Sequence, residues 1–154
     1  MLTQISKTIA TTTEPLVLLT LAIIISIFLY AKNQKSQAYL LALTSIVTAA
    51  IIKILKNIIQ APRPTTMLIQ ETGYSFPSGH ATFSIIFLGL ITYIFIKPKY
   101  KIHATIISTI LVIIISLSRL QLQAHHPIDI FAGLIIGSII LTASILLHKK
   151  LTKY

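Results

Sequence analysis

Five long stretches without a charged side chain limit what this chain can fold into: 15–31, 38–52, 81–96, 104–118 and 130–147. Each, with its flanks, approaches the roughly 20 residues that a helix needs to cross the hydrocarbon layer of a bilayer. The runs are continuous rather than alternating and too long for single strands, so a sheet is excluded. Buried helices of a soluble α-protein would need polar faces to carry them in water. Such faces are nearly absent, with 55% hydrophobic and 10% charged residues against about 25% charged in a soluble domain. The reading is an all-α integral membrane helical bundle, one domain over 1–154, with about five transmembrane helices at 15–31, 37–59, 79–97, 102–119 and 127–148. Lys53 and Lys56 lean from the second span toward an interface. Residues 1–14 carry Leu2, Ile5 and Ile9 at near-helical spacing, which suits a short helix lying on the outer membrane surface; a frayed terminus is the alternative. With no cysteine in the chain, a disulfide framework, a thiol nucleophile and a Cys-based metal site are all excluded.

The formal charge of +10 would suggest a nucleic-acid partner in a soluble protein. Here the cations cluster between apolar runs, so no nucleic acid is expected. Eight lysines fall on one side of the predicted spans: Lys32, Lys35, Lys97, Lys99, Lys101, Lys149, Lys150 and Lys153. Four cations fall on the other: Lys7, Lys56, Arg63 and Arg119. The positive-inside rule puts the eight-lysine side and the C-terminus in the cytoplasm of a cell (inner) membrane, and the longer polar loops outside. Ser36-Gln37-Ala38 has the form of a signal cleavage site, but the apolar run before it is long for a signal and precedes its main positive charges.

The outward loops hold most of the polar chemistry. One opens with Lys56, Arg63 and Pro64 and closes with Pro77-Ser78-Gly79-His80; the other runs from Ser118-Arg119 through His125-His126-Pro127 to Asp129. Two guanidiniums and an ammonium on one membrane face suit a phosphate, the arginines through bidentate hydrogen bonds and the lysine as a point charge. These three blocks, Lys-x6-Arg-Pro, Pro-Ser-Gly-His and Ser-Arg-x5-His-x3-Asp, resemble the tripartite signature of the type-2 phosphatidic acid phosphatase and vanadium haloperoxidase superfamily. All three match completely and in order from Lys56 to Asp129. The resemblance implies that His125 is a nucleophile forming a phosphohistidine and that His80 is the general acid for the leaving group. Asp129 would orient His125 as the acid of a Ser-His-Asp triad orients its histidine. Lys56, Arg63, Ser78, Gly79 and Arg119 would then cradle the phosphate oxygens.

Each residue also has a plainer reading. Lys56 suits a snorkelling helix end and the arginines suit lipid anchors. Ser78 suits an N-cap, Gly79 a permissive turn, and Asp129 a first-turn carboxylate behind Pro127. His126 is read as a cap or pocket wall, His103 and His148 as interfacial, and Glu71 and Tyr74 as solvated loop residues. Zinc or iron on His80, His125, His126 and Asp129 is the competing chemistry, disfavoured by three adjacent cations. No metal and no cofactor are therefore expected, in line with the resemblance.

The loops are too short to grip a soluble substrate, so the expected partner is a lipid phosphate drawn from the bilayer. The resemblance favours undecaprenyl diphosphate, followed by phosphatidylglycerol phosphate or phosphatidic acid. A diphosphate calls for further cations, and Lys7 and Lys53 are the spare ones on that side. The family's membrane members commonly have six spans, and residues before Ser36 fall outside the resemblance, so a homo-oligomer or partner chain is expected to cover the exposed flank. The alternatives are a non-catalytic lipid-phosphate-binding scaffold and a metal-dependent hydrolase.

Overall fold

The computed structural model describes residues 1–152. The expectations for Lys153 and for the C-terminal Tyr154 lie outside the described residues. Six α-helices follow one another: α1 Leu2–Thr12, α2 Pro15–Ala31, α3 Lys35–Ile59, α4 Gly79–Phe95, α5 Lys101–Gln121 and α6 Pro127–Leu151, with a 3-10 turn at Pro98–Tyr100 before α5. No strand occurs among the described residues. The boundaries follow from local chemistry. Pro15 and Pro127 occupy first-turn positions, where the missing N–H costs nothing. Ser78 caps α4 by accepting from the Ala81 N–H. At the end of α3, Gln60 turns into the left-handed region at φ 51° and stops the helix.

Around α4 the other helices assemble: it packs against α6, α5, α3 and α2, while α2 pairs with α3 and α1 with α5. Small residues set the α4–α6 distance. A Cβ at Gly133 would lie 2.8 Å from the Ser78 carbonyl oxygen, and one at Gly137 would lie 3.0 Å from that of Thr82. This is the close backbone approach that small residues permit between membrane helices. Buried hydroxyls in the bundle are satisfied locally, as in Ser26 to the Ala22 carbonyl at 2.7 Å and Thr48 to the Thr44 carbonyl at 2.7 Å. The outside is inverted relative to a soluble protein: Ile106, Ile110, Ile113 and Leu117 of α5 are exposed, as are Ile24, Ile27 and Phe28 of α2. An apolar belt of this kind is stable against lipid and not against water.

Helices α3, α6 and α5 with its leading turn are long and apolar enough to cross a membrane, and α1 and α2 qualify when taken together, although bent by 41° at their junction. Helix α4 has 17 residues, a rise of about 25 Å against a hydrocarbon layer of about 30 Å. Three to four candidate spans thus stand where the sequence reading counts five. Ser36 and Tyr93 both reach His148, at 2.9 and 3.2 Å, and Lys101 lies 5.0 Å from the Tyr93 ring. The start of α3 and the ends of α4 and α6 therefore meet at one end of the bundle. The signature blocks gather at the other.

Candidate active site

The 60–78 segment folds back on itself. Ser75 donates its N–H to the Ala61 carbonyl at 2.9 Å and its hydroxyl to the Pro62 carbonyl at 2.9 Å. Arg63 is pinned inside that loop: Nε donates to the Gly73 carbonyl at 3.1 Å, and Nη1 reaches the Ala124 carbonyl at 2.8 Å. Gly73 supplies the φ of 73° that this turn needs. From the last turn of α3, Lys56 donates to the Tyr74 carbonyl and lies 3.4 Å from that of Ser75. On the facing side, α5 ends in a left-handed residue, Gln123 at φ 51°, and the Leu122 carbonyl accepts from the Leu68 N–H at 3.0 Å. One Arg63 side chain thus ties the first block to the residue before His125.

The second and third blocks meet directly. The Ser78 N–H donates to the Asp129 carbonyl at 3.0 Å, joining the start of α4 to the first turn of α6. Ser78, Gly79, His80, Arg119, His125 and Asp129 are all buried. His125 Nδ1 lies 3.5 Å from Asp129 Oδ2 and has no other partner among the described residues. That is ion-pair reach rather than a closed hydrogen bond, and contacts of this kind tighten when substrate binds. The same Oδ2 accepts from the His126 N–H at 2.9 Å, so Asp129 caps α6 and faces His125 at once. His126 sits at the N-cap of α6 and is exposed. His80 Nε2 lies 3.0 Å from the Ala10 carbonyl. A carbonyl only accepts, so Nε2 carries a hydrogen and Nδ1 is the nitrogen left to exchange a proton.

Electrostatics follow from this packing. Burial pushes the His125 pKa well below the ordinary histidine value, and Arg63, Arg119, Lys56 and His80 push it further down. The imidazole is therefore neutral near pH 7. Among the described residues no three His, Asp or Glu side chains converge as metal ligands.

Sequence reasoning missed three contributors. Glu71, read as a solvated loop residue, instead hydrogen-bonds Arg119 Nη2 through Oε1 and lies 3.4 Å from Arg63 Nη2 through Oε2. Burial alone would raise its pKa, but Arg119 and Arg63 outweigh that and hold it below the usual carboxylate range. A carboxylate thus takes guanidinium donors that a phosphate would use, while the buried Arg119 Nε stays unpartnered. The available signal was that Glu71 is one of three acids in the chain and lies between two matched blocks. Tyr74 likewise contributes its carbonyl, to Lys56. The third contributor is α1, whose Ala10 carbonyl holds His80; no motif marks it.

A neutral buried imidazole beside a carboxylate, three cations and a second imidazole, at one end of an apolar helical bundle, defines a helical membrane protein with a cationic, histidine-bearing centre. The chain belongs to the PAP2 superfamily, which matches residues 37–153. The undecaprenyl-diphosphatase of Sulfolobus acidocaldarius is 40% identical over 76 residues, covering 49% of this chain and 34% of that protein. Phosphatidylglycerophosphatase B of Bacillus subtilis is 31% identical over 91 residues, covering 55% of this chain and 45% of that protein. The chain thus spans less than half the length of either curated relative in the matched region. The crystal structure of a transmembrane PAP2 type phosphatidylglycerolphosphate phosphatase from Bacillus subtilis superposes with a TM-score of 0.89 at 24% identity, over 97% of this chain and 77% of that one. That likeness is one of fold. It takes in α1 and α2, which the sequence reading left outside the resemblance.

Proposed function

We propose that this protein hydrolyses a phosphate monoester or diphosphate of a membrane lipid, without a metal, through a phosphohistidine on His125. The observation that carries the reading is the buried His125, kept neutral among Lys56, Arg63 and Arg119, with Asp129 3.5 Å from its Nδ1. Asp129 holds the hydrogen on Nδ1, so that the Nε2 lone pair is free to attack phosphorus. The P–O bond to the leaving group breaks as the P–N bond forms, and His80, whose Nε2–H stays on the Ala10 carbonyl, gives the departing oxygen a second proton that Nδ1 takes up as the anionic substrate enters. His80 then takes a proton from the water that attacks phosphorus and cleaves the P–N bond, releasing orthophosphate and restoring both histidines. Lys56, Arg63, Arg119, the Ser78 hydroxyl and the Gly79 N–H hold the charge as it spreads over the non-bridging oxygens. The names of the two relatives support a lipid substrate of the undecaprenyl diphosphate or phosphatidylglycerol phosphate kind; undecaprenyl diphosphate stands first, and phosphatidic acid follows from the sequence resemblance alone.

In this reading α2 to α6 all cross the bilayer, the site opens on the outer face of the cell membrane and the C-terminus is cytoplasmic. The test is phosphate release from those three lipids by purified protein with excess chelator, beside His125→Ala. Release that needs His125 and survives the chelator is expected. Release lost to chelator would make the protein a metal-dependent hydrolase, and no release from any lipid would leave a binding scaffold.

A further inference from the structure

A cavity of about 770 Å³ opens between α1 and the loop before α4, and its walls include Lys7, Thr11, Glu14, Gln70, Glu71, His80 and Arg119. It therefore runs from the phosphate site to the N-terminal helix. Helix α1 is docked firmly there. Ser6 donates its hydroxyl to Gln121 Oε1 at 2.6 Å, the Ala10 carbonyl meets His80, and the Ala10 side chain is buried against Leu122 and Ala124. Lys7 stands one turn before Ala10 and Thr11, on the face that these contacts fix. It pairs with no carboxylate among the described residues.

We propose that this cavity is a second anion subsite, in which Lys7 binds a second phosphate on the headgroup of the lipid, beside the phosphate at His125 and Arg119. The inference rests on the lipid phosphatase reading above and narrows its substrate to a headgroup with two phosphates. The transferred phosphate uses Lys56, Arg63 and Arg119, which leaves a neighbouring phosphate in need of its own cation. Lys53, the other spare cation, borders a second cavity that reaches Lys56, Asn57, Gly73 and Tyr74 on one side and is otherwise walled by the apolar Pro15, Leu16, Leu19, Ala49, Ile52 and Phe83. That apolar wall suits an acyl or prenyl chain, whereas Gln70, which lines the first cavity with Lys7, can donate to phosphate oxygens. Glu71 is neutralised by the two arginines. Glu14 is not, so without Lys7 a second phosphate would meet an unopposed carboxylate.

The experiment compares two probes with the same tail, farnesyl diphosphate and farnesyl monophosphate. Turnover is measured with otherwise native protein, and binding in the His125→Ala background, each with and without Lys7→Ala. The readout is the diphosphate to monophosphate ratio of KM and of Kd. Lys7→Ala is expected to worsen that ratio roughly five- to tenfold, as for one lost charge-assisted hydrogen bond in a partly solvated site. Lys7→Arg is expected to restore it, and Thr8→Ala, on the exposed face of α1, to leave it alone. An unchanged ratio, an equal loss for both probes, or an effect of Lys53→Ala in place of Lys7→Ala would overturn the subsite. Absence of turnover in the native protein would sink the phosphatase reading, yet the binding ratio would still decide the subsite.

Discussion

In the proposed reaction His125 must be neutral to attack, and its environment keeps it so. Because burial and the surrounding cations hold its pKa below the ordinary value of about 6.5, kcat/KM is expected to stay level as the pH falls through 6.5. A pH–rate profile with its acid limb centred near 6.5 would show a solvated histidine instead. The sign for stability runs the same way: the unfolded chain takes up a proton at His125 near pH 6.5 and the folded chain resists it, so acid lowers stability. Glu71 makes a separate prediction. Its removal leaves Arg119, 1% exposed, as an uncompensated buried charge, which costs on the order of 3 kcal/mol. Glu71→Gln is therefore expected to lower Tm in detergent and, since the donors are freed, to let vanadate raise Tm more and inhibit more tightly than in the unaltered protein. Equal vanadate responses would show that Glu71 does not compete for the anion. The eight positions of the signature, which the fold gathers at one end of the bundle, were legible because their spacing is a motif. Glu71 and the Ala10 carbonyl were not, since an ion pair across 48 positions and a backbone contact across 70 leave no local pattern.

At the level of elements, the site exists because α6 lies close to the start of α4. The Ser78 N–H to Asp129 carbonyl bond depends on Gly133, whose missing side chain lets the helices approach. Gly133→Ala would press a methyl against the Ser78 carbonyl oxygen, a backbone atom that yields only if the helix moves. The expected result is a loss of about 1–3 kcal/mol, as for other overpacked interiors, with activity falling further than stability because Ser78 and Asp129 part. Circular dichroism and turnover of the variant check this; unchanged turnover would show that the α4–α6 contact does not position the site. Helix positions were readable from uncharged runs bounded by Pro15, Ser78 and Pro127, and α1 from its apolar spacing. That α1 docks over His80 was not, because nothing in its eleven residues names a partner.

For the whole molecule, the absence of cysteine gives a clean test of topology. A membrane-impermeant thiol reagent on intact cells is expected to label Thr66→Cys, in the loop beside the site, and to label Lys99→Cys, at the opposite end, only after lysis. The reverse pattern would put the site inside the cell. By itself the sequence determined the class, an apolar helical bundle in lipid with the signature blocks of its family. Uncharged length and motif spacing are local properties, and a bilayer forces buried backbone into helices. The tertiary structure decided which groups meet: Glu71 across the two arginines, the Ala10 carbonyl on His80, and Lys7 and Arg119 on the wall of one cavity. Those pairings depend on how the helices cross and how closely they approach, and contacts between distant segments are set by packing across the bundle rather than by any neighbour in the chain.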